Sequence, residues 1–354
     1  MTIRVLQNGG PVALLALGLL TGFAPPVERQ NSYAVHNLVS DGTIAATYTD
    51  PNLVNAWGLV ASPTSPWWVA DNETAVSTLY NGAGTPQSLV VTVPGAPTGI
   101  VFNGGASFVV TSGGASGPAR FLFASEDGTI SGWNPAVPPP PPSHQAIVAV
   151  STAGANYKGL AIASTVTGSF LYAADFHDAR VDVFDGAFAP VTTAGGFVDP
   201  TLPKGFAPFG IRNLAGRIYV AYAKQDEDAE DEVAGEGLGF VSVFDTAGQF
   251  LARVASGEPL NAPWGLAIAP AGFGRFSGNL LVGNFGNGRI NAYDLTTFEP
   301  RGHLKTADHK PLVIDGLWGI AFGNGAGAGP ATTLFFAAGP DDETHGLFGS
   351  ITLN

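Results

Sequence analysis

Cysteine is absent from this sequence, which removes disulfides, thiolate metal ligands and a cysteine nucleophile from consideration. Charge is scarce as well: 12% of residues are charged, 28 acidic against 15 basic, for a formal net charge of −13. A surplus of that sign repels polyanions, so neither nucleic acid nor an anionic membrane is an expected partner. It suits solubility or the binding of cations. No Gly-x-Ser-x-Gly elbow, phosphate loop or His-Glu-x-x-His helix occurs, so nothing points to a nucleotide cofactor or to zinc proteolysis. No apolar run reaches the roughly 20 residues that a membrane-spanning helix needs. What the chain has in abundance is glycine and proline, 48 and 27 among 354 residues, with 45% hydrophobic residues. That composition is too apolar for disorder and too rich in turn formers for a helical protein.

The first residues differ from the rest. Arg4, the apolar run Pro11–Leu20 and the small residues up to Ala24 have the layout of a secretory signal. The expected division is a signal at 1–24, a disordered linker at 25–32 and one domain at 33–354. The mature protein is expected to be secreted or periplasmic, with no membrane span.

One phrase recurs down the remainder. Its copies open at Trp57-Gly58-Leu59, Thr98-Gly99-Ile100, Lys158-Gly159-Leu160, Phe209-Gly210-Ile211, Trp264-Gly265-Leu266 and Trp318-Gly319-Ile320. Intervals of about 40 to 60 residues with three or four strands each are those of propeller blades. The second strand of each copy, such as Trp67–Ala70 or Leu280–Gly283, is continuously apolar, as in strands covered on both faces. The third alternates and ends in an aromatic followed by Asp or Asn, as in Phe184-Asp185, Phe244-Asp245 and Tyr293-Asp294. An Asx side chain there can bond the backbone of the next hairpin. Outer strands are expected at 87–93, 145–151, 249–255 and 301–306. The last copy lacks one, and the unclaimed strand Tyr33–Val39 is expected to supply it. The fold class is therefore all-β: a six-bladed β-propeller closed by an N-terminal outer strand in the last blade. The acidic run 226–232 is expected to be a solvated, mobile insertion, and Pro138–Pro142 a spacer.

In such a ring, the loops entering the first strands share a face with the turns joining strands two and three. Those turns read Asp71-Asn72-Glu73, Ser125-Glu126-Asp127, Asp175-Phe176-His177-Asp178, the acidic run, Asn284-Phe285-Gly286-Asn287 and Pro340–His345. A ring of Asp71, Asn72, Asp175, Asn284 and Asp341 offers the oxygens that calcium requires, although tight turns favour Asp and Asn on conformational grounds alone. Trp57, Trp264 and Trp318, on neighbouring copies, could form a platform for a sugar or other flat ligand or pack between blades; Lys158 is the one cation among these entrance positions. His177 and His345 are the candidate general bases.

Further phrases, Asn55-Ala56-Trp57-Gly58-Leu59, Leu171–His177, Gly278–Ile290, Ile314–Gly319 and Ala338–Gly349, resemble a family of exported bacterial propeller proteins with no assigned activity. Some of its members carry a C-terminal sorting tail that this chain does not show, so release is the expectation. More distantly the pattern is similar to NHL-repeat proteins and to the gluconolactonase and paraoxonase group. Likeness to that group implies calcium at the axis, although the Gly-Glu-x-Pro opening of gluconolactonase-like chains is missing. The expected function is a propeller that binds a small molecule, carbohydrate or divalent cation on its axial face. The alternatives are a calcium-dependent lactonase or esterase and an envelope module that binds a protein partner.

Overall fold

The six glycine-led strands stand side by side around a ring in the computed structural model, which describes residues 1–2 and 31–354. The expected signal and most of the linker lie outside the described residues. The ring is tight because the glycines permit it. A Cβ on Gly58 would lie 2.5 Å from the carbonyl oxygen of Thr98 on the next inner strand, and one on Gly265 would lie 2.6 Å from that of Trp318. Gly319 closes the circle against the carbonyl of Trp57, at 2.6 Å. Inner strands approach this closely only where no side chain separates their backbones.

Each glycine opens one blade. Blade 1 consists of Ala56–Val60, Trp67–Asp71, Val76–Tyr80 and Val91–Thr92; blade 2 of Pro97–Phe102, Phe121–Ser125, Thr129–Trp133 and Ile147–Ser151. Blade 3 has three strands, Tyr157–Thr165, Gly168–Asp175 and Arg180–Asp185. Blade 4 comprises Phe206–Leu214, Arg217–Gln225, Gly239–Phe244 and Phe250–Ser256, and blade 5 Pro263–Ile268, Leu280–Asn284, Ile290–Tyr293 and Pro300–His303. Blade 6 holds Leu317–Phe322, Leu334–Ala338 and Leu347–Leu353, with Tyr33–Ser40 antiparallel to the last of these in the register Tyr33↔Leu353 to Ser40↔Leu347. Residues Asn31–Asn354 make one compact unit. No described helix is long and apolar enough to cross a membrane.

The second strands of blades 1, 2, 5 and 6 are buried along their whole length, because a neighbouring blade covers each face. The Asx residues behave as turn formers. Asp185 Oδ1 accepts from the backbone N–H groups of Ala187 and Ala189, and Asp245 Oδ1 from those of Ala247 and Gln249.

Two features depart from the sequence reading. Blade 2 carries an extra hairpin, Val109–Ser112 with Ala115–Pro118, between its inner and second strands. The acidic run is also more ordered than a mobile loop. Glu232–Val233 pairs back onto Lys224 and Gln225, and Asp226 Oδ1 accepts from the N–H of Glu230. Those bonds fold the run back toward the axis.

Candidate functional site at the mouth of the axis

An aromatic plug closes the axis at the entrance side. Trp57 and Trp318 stack with ring centroids 3.5 Å apart, and Phe285 stacks on Trp318 at 4.0 Å. Phe176, Phe209 and half-buried Trp264 complete it. Indole N–H groups in such a place need acceptors: that of Trp318 donates to Asn55 Oδ1 at 2.9 Å and that of Trp264 to the carbonyl of Lys158 at 2.9 Å.

Above the plug lies a charge cluster assembled from five blades. Lys158, on the inner strand of blade 3, is 1% exposed. Its ammonium donates to Glu126 Oε1 of blade 2 at 2.5 Å and to Asp231 Oδ1 of the acidic run at 3.0 Å, 5.4 Å from the Trp57 ring centroid. Glu126 Oε2 accepts from Asn72 Nδ2 at 2.9 Å. Asn55 Nδ2 donates to Asn72 Oδ1 at 3.4 Å and to Glu343 Oε2 of blade 6 at 2.6 Å. At the edge of the cluster Asn156 Nδ2 donates to Glu230 Oε2 at 2.9 Å, and His177 Nδ1 stands 3.1 Å from Glu230 Oε1.

Burial alone would lower the Lys158 ammonium, but Glu126 and Asp231 outweigh it and hold it above the usual lysine range. Half-buried Glu232 is pushed up to about 8, first by burial and then by the charges of Glu343 and Asp231, which offset the help it receives from Lys158. Glu343 is raised for the same reasons, with Glu126 and Asp231 adding to burial. Glu126 and Asp231 bond the one ammonium, and Glu232 and Glu343 lie within electrostatic reach of it, so negative charge is in excess. The turn that delivers Glu343 is strained: Asp341, Asp342 and Glu343 take φ of 56°, 50° and 67° in succession. Non-glycine residues in that region cost of order 1 kcal/mol or more each and collect at functional sites.

The expected metal ring is not assembled. Asp71 is fully buried in blade 1, where Oδ2 accepts from the N–H of Thr78 at 2.9 Å, and burial raises it well above the carboxylate range. Asp175, raised to about 6 chiefly by burial, accepts from the N–H groups of Asn156 and Asp178 in blade 3 and faces Arg180 at 3.2 Å. Asn284 donates to the carbonyl of Pro259 and to Asn287 in blade 5. One oxygen of each of the three has no hydrogen-bond partner among the described residues, yet each sits in its own blade. Asp341 is exposed, and Asn72 belongs to the charge cluster. Among the described residues no group of three or more His, Asp or Glu is placed to hold a metal ion, so these residues do not fit a shared calcium.

The other expected residues are also re-sorted. Trp57 and Trp318 pack in the plug, 2% and 0% exposed, and are not an open platform; Trp264 alone keeps some surface. Lys158 lies within the cluster. His177 borders it, whereas His345 is apart, its Nδ1 2.6 Å from Asp41 Oδ2 beside the outer strand of blade 6. Sequence reasoning passed over Asn55, Asp231, Glu232 and Glu343. The signal available was the excess of acids in the turns, beyond what turn geometry requires.

No family model matches the chain. It belongs to the family of two proteins of Acanthamoeba polyphaga mimivirus. Uncharacterized protein L690 is 34% identical over 344 residues, covering 92% of this chain and 87% of the relative. Uncharacterized protein R648 is 33% identical over 342 residues, covering 92% and 82%. These relatives are viral, which corrects the bacterial setting implied by the resemblance. Among solved structures, a catalytically inactive virginiamycin B lyase from Staphylococcus aureus with quinupristin superposes at TM-score 0.52 and 12% identity, over 92% of this chain and 100% of that one. A glucose dehydrogenase does so at 0.52 and 12%, over 90% and 99%. At such identity the likeness shows the fold alone: a six-bladed β-propeller.

Proposed function

We propose that this propeller is a binding module whose axial mouth takes a small organic cation. The observation behind it is the cluster of Glu126, Asp231, Glu232 and Glu343 around the single ammonium of Lys158. With all four ionised the cluster carries a net charge of −3, and burial beside the other carboxylates favours the protonated forms of Glu232 and Glu343. A ligand ammonium or guanidinium could replace those protons, with half-buried Trp264 and the polar side chains of Asn55 and Asn72 nearby. Among the described residues no three His, Asp or Glu are placed to hold a metal ion, which favours an organic cation over a bare divalent ion. Export by the N-terminal segment belongs to the same proposal.

Thermal shift and calorimetric titration with spermidine, arginine and choline, against calcium chloride with and without chelator, test this. An organic cation should raise the melting midpoint of the full chain, and Glu232→Gln with Glu343→Gln should abolish the shift. An equal shift by a neutral analogue, or none by any cation, overturns it.

A second reading, a hydrolase, draws on the proximity of His177 to Glu230 beside the cluster, 3.1 Å apart, since an imidazole near a carboxylate can serve as a general base toward water. Turnover of a lactone panel that vanishes in His177→Ala would favour it.

A further inference from the structure

Below the plug, on the other side of Trp264, the inner strands enclose a cavity of about 190 Å³. Its walls are mixed: Ile100, Leu160, Ile162, Ile211 and Leu266 supply aliphatic surface, and Arg212, Asn213 and the strands supply nearly as much polar surface. Asn213 is spoken for: its Nδ2 donates to the carbonyl of Ile162 at 2.9 Å and its Oδ1 accepts from the N–H of Gly216 at 3.1 Å. Arg212 is not. From blade 4 its Nη1 reaches the carbonyl of Ile320 in blade 6 at 2.8 Å, and this is the one hydrogen bond its guanidinium makes among the described residues.

A guanidinium carries five N–H donors and seeks a planar, bidentate acceptor. Buried charge is ordinarily paired, yet the sole influence on Arg212 is burial, which lowers it to about 10, and no carboxylate charge acts on it. In a chain of net charge −13 a cation kept clear of every acid is conspicuous. Arg212 is half-buried, and a brace between blades would need only the bond to Ile320; its remaining donors are free to meet water or a ligand at the cavity.

We propose that this cavity is a second, independent site, in which Arg212 holds the carboxylate of a small apolar organic acid. The chemistry of the walls selects the class. An inorganic oxyanion gains nothing from the aliphatic part of the wall, whereas a carboxylate with a short hydrocarbon body places its apolar part against isoleucine and leucine. The volume is below the roughly 300–1,000 Å³ of pockets for drug-sized ligands, so the acid must be short.

Calorimetric titration of the full chain with sodium butyrate and sodium benzoate, against butyramide and sodium phosphate, is the test. At least one carboxylate should bind saturably with Kd of about 1 mM or tighter. Loss of a charge-assisted bidentate contact should weaken it at least about tenfold in Arg212→Leu. Ile162→Trp, which keeps the guanidinium and fills the space, should abolish it. Circular dichroism establishes that each variant is folded; should Arg212→Leu not fold, Ile162→Trp and the comparison of butyrate with butyramide decide. No saturable binding of either carboxylate, equal binding of butyramide, binding of phosphate alone, or undiminished affinity in a folded Arg212→Leu overturns the proposal. Cation binding at the mouth should be unchanged in Arg212→Leu, so the two sites fail separately.

Discussion

Replacing Lys158 by methionine removes one charge and little volume, so its effect isolates the electrostatics of the axial mouth. The ammonium is 1% exposed and bonded to two carboxylates. Breaking a fully buried pair by deleting one partner costs about 3–5 kcal/mol, because the other charge is stranded. Here the stranded groups are unequal: the side chain of Glu126 is 26% exposed and that of Asp231 75%, so Asp231 returns to water at small cost. That leaves about 2–3 kcal/mol at pH 8, chiefly from Glu126 and from the lost relief of Glu232 and Glu343. For one compact unit spanning Asn31–Asn354 the loss corresponds to about 3–4 °C in the melting midpoint. At pH 5 the carboxyl of Glu232, raised to about 8, is protonated and repels less, so the loss should shrink. Calorimetric melts of the wild type and Lys158→Met at both pH values measure it. An unchanged midpoint at pH 8, or a greater loss at pH 5, refutes the cluster as drawn.

The wild type should itself lose stability as pH rises from about 5 to 8. Folded Glu232 sits at about 8 against an ordinary 4.5, so across that window the native state keeps a proton that the unfolded chain has released, and stability falls as it is given up. Glu232→Gln should flatten the slope in midpoint-against-pH scans, and an unaltered slope counts against it. Gly319→Ala places a methyl 2.6 Å from the carbonyl of Trp57; overpacking of this kind costs about 1–3 kcal/mol, visible as a lower urea midpoint at constant slope, and an unchanged midpoint refutes it. Deleting residues 33–40 removes the partner of Leu347–Leu353 and the hydrogen bond from the Tyr33 hydroxyl to the carbonyl of Phe273. The bared edge should self-associate in light scattering, and a monodisperse variant of unaltered stability speaks against that role.

The architecture was legible because backbone crowding leaves a mark at one residue type: only glycine fits between neighbouring inner strands, so Gly58, Gly99, Gly159, Gly210, Gly265 and Gly319 announce the ring. The Asx turns were legible for a similar reason, their hydrogen bonds being local. The site was not, because it joins residues far apart in the chain whose partners no period reveals. Glu126 meets Lys158 from the adjoining blade, and Asp231 meets it from a run that composition alone marks as solvated. Asp71, Asp175 and Asn284 misled in the opposite sense: a repeated Asp or Asn at a repeated position makes its hydrogen bonds within its own blade.

The plug gives the axis two ends of contrasting chemistry. On the entrance side, four carboxylates exceed one ammonium; below, one guanidinium lies among aliphatic side chains. Trp57 and Trp318 stack between them at 3.5 Å and are all but inaccessible. Packed aromatics at native density leave no passage for a molecule the size of an amine or an organic acid. A ligand at either proposed site would therefore enter and leave by the same end. The coupling that remains open runs through the walls: Trp264 belongs to the plug, lines the lower cavity, and donates its indole N–H to the backbone of Lys158. If occupancy of one end alters affinity at the other, that indole is the shared element. Trp264→Phe keeps an aromatic side chain and loses the donor, so any such cross-effect should disappear in calorimetric titrations of the variant.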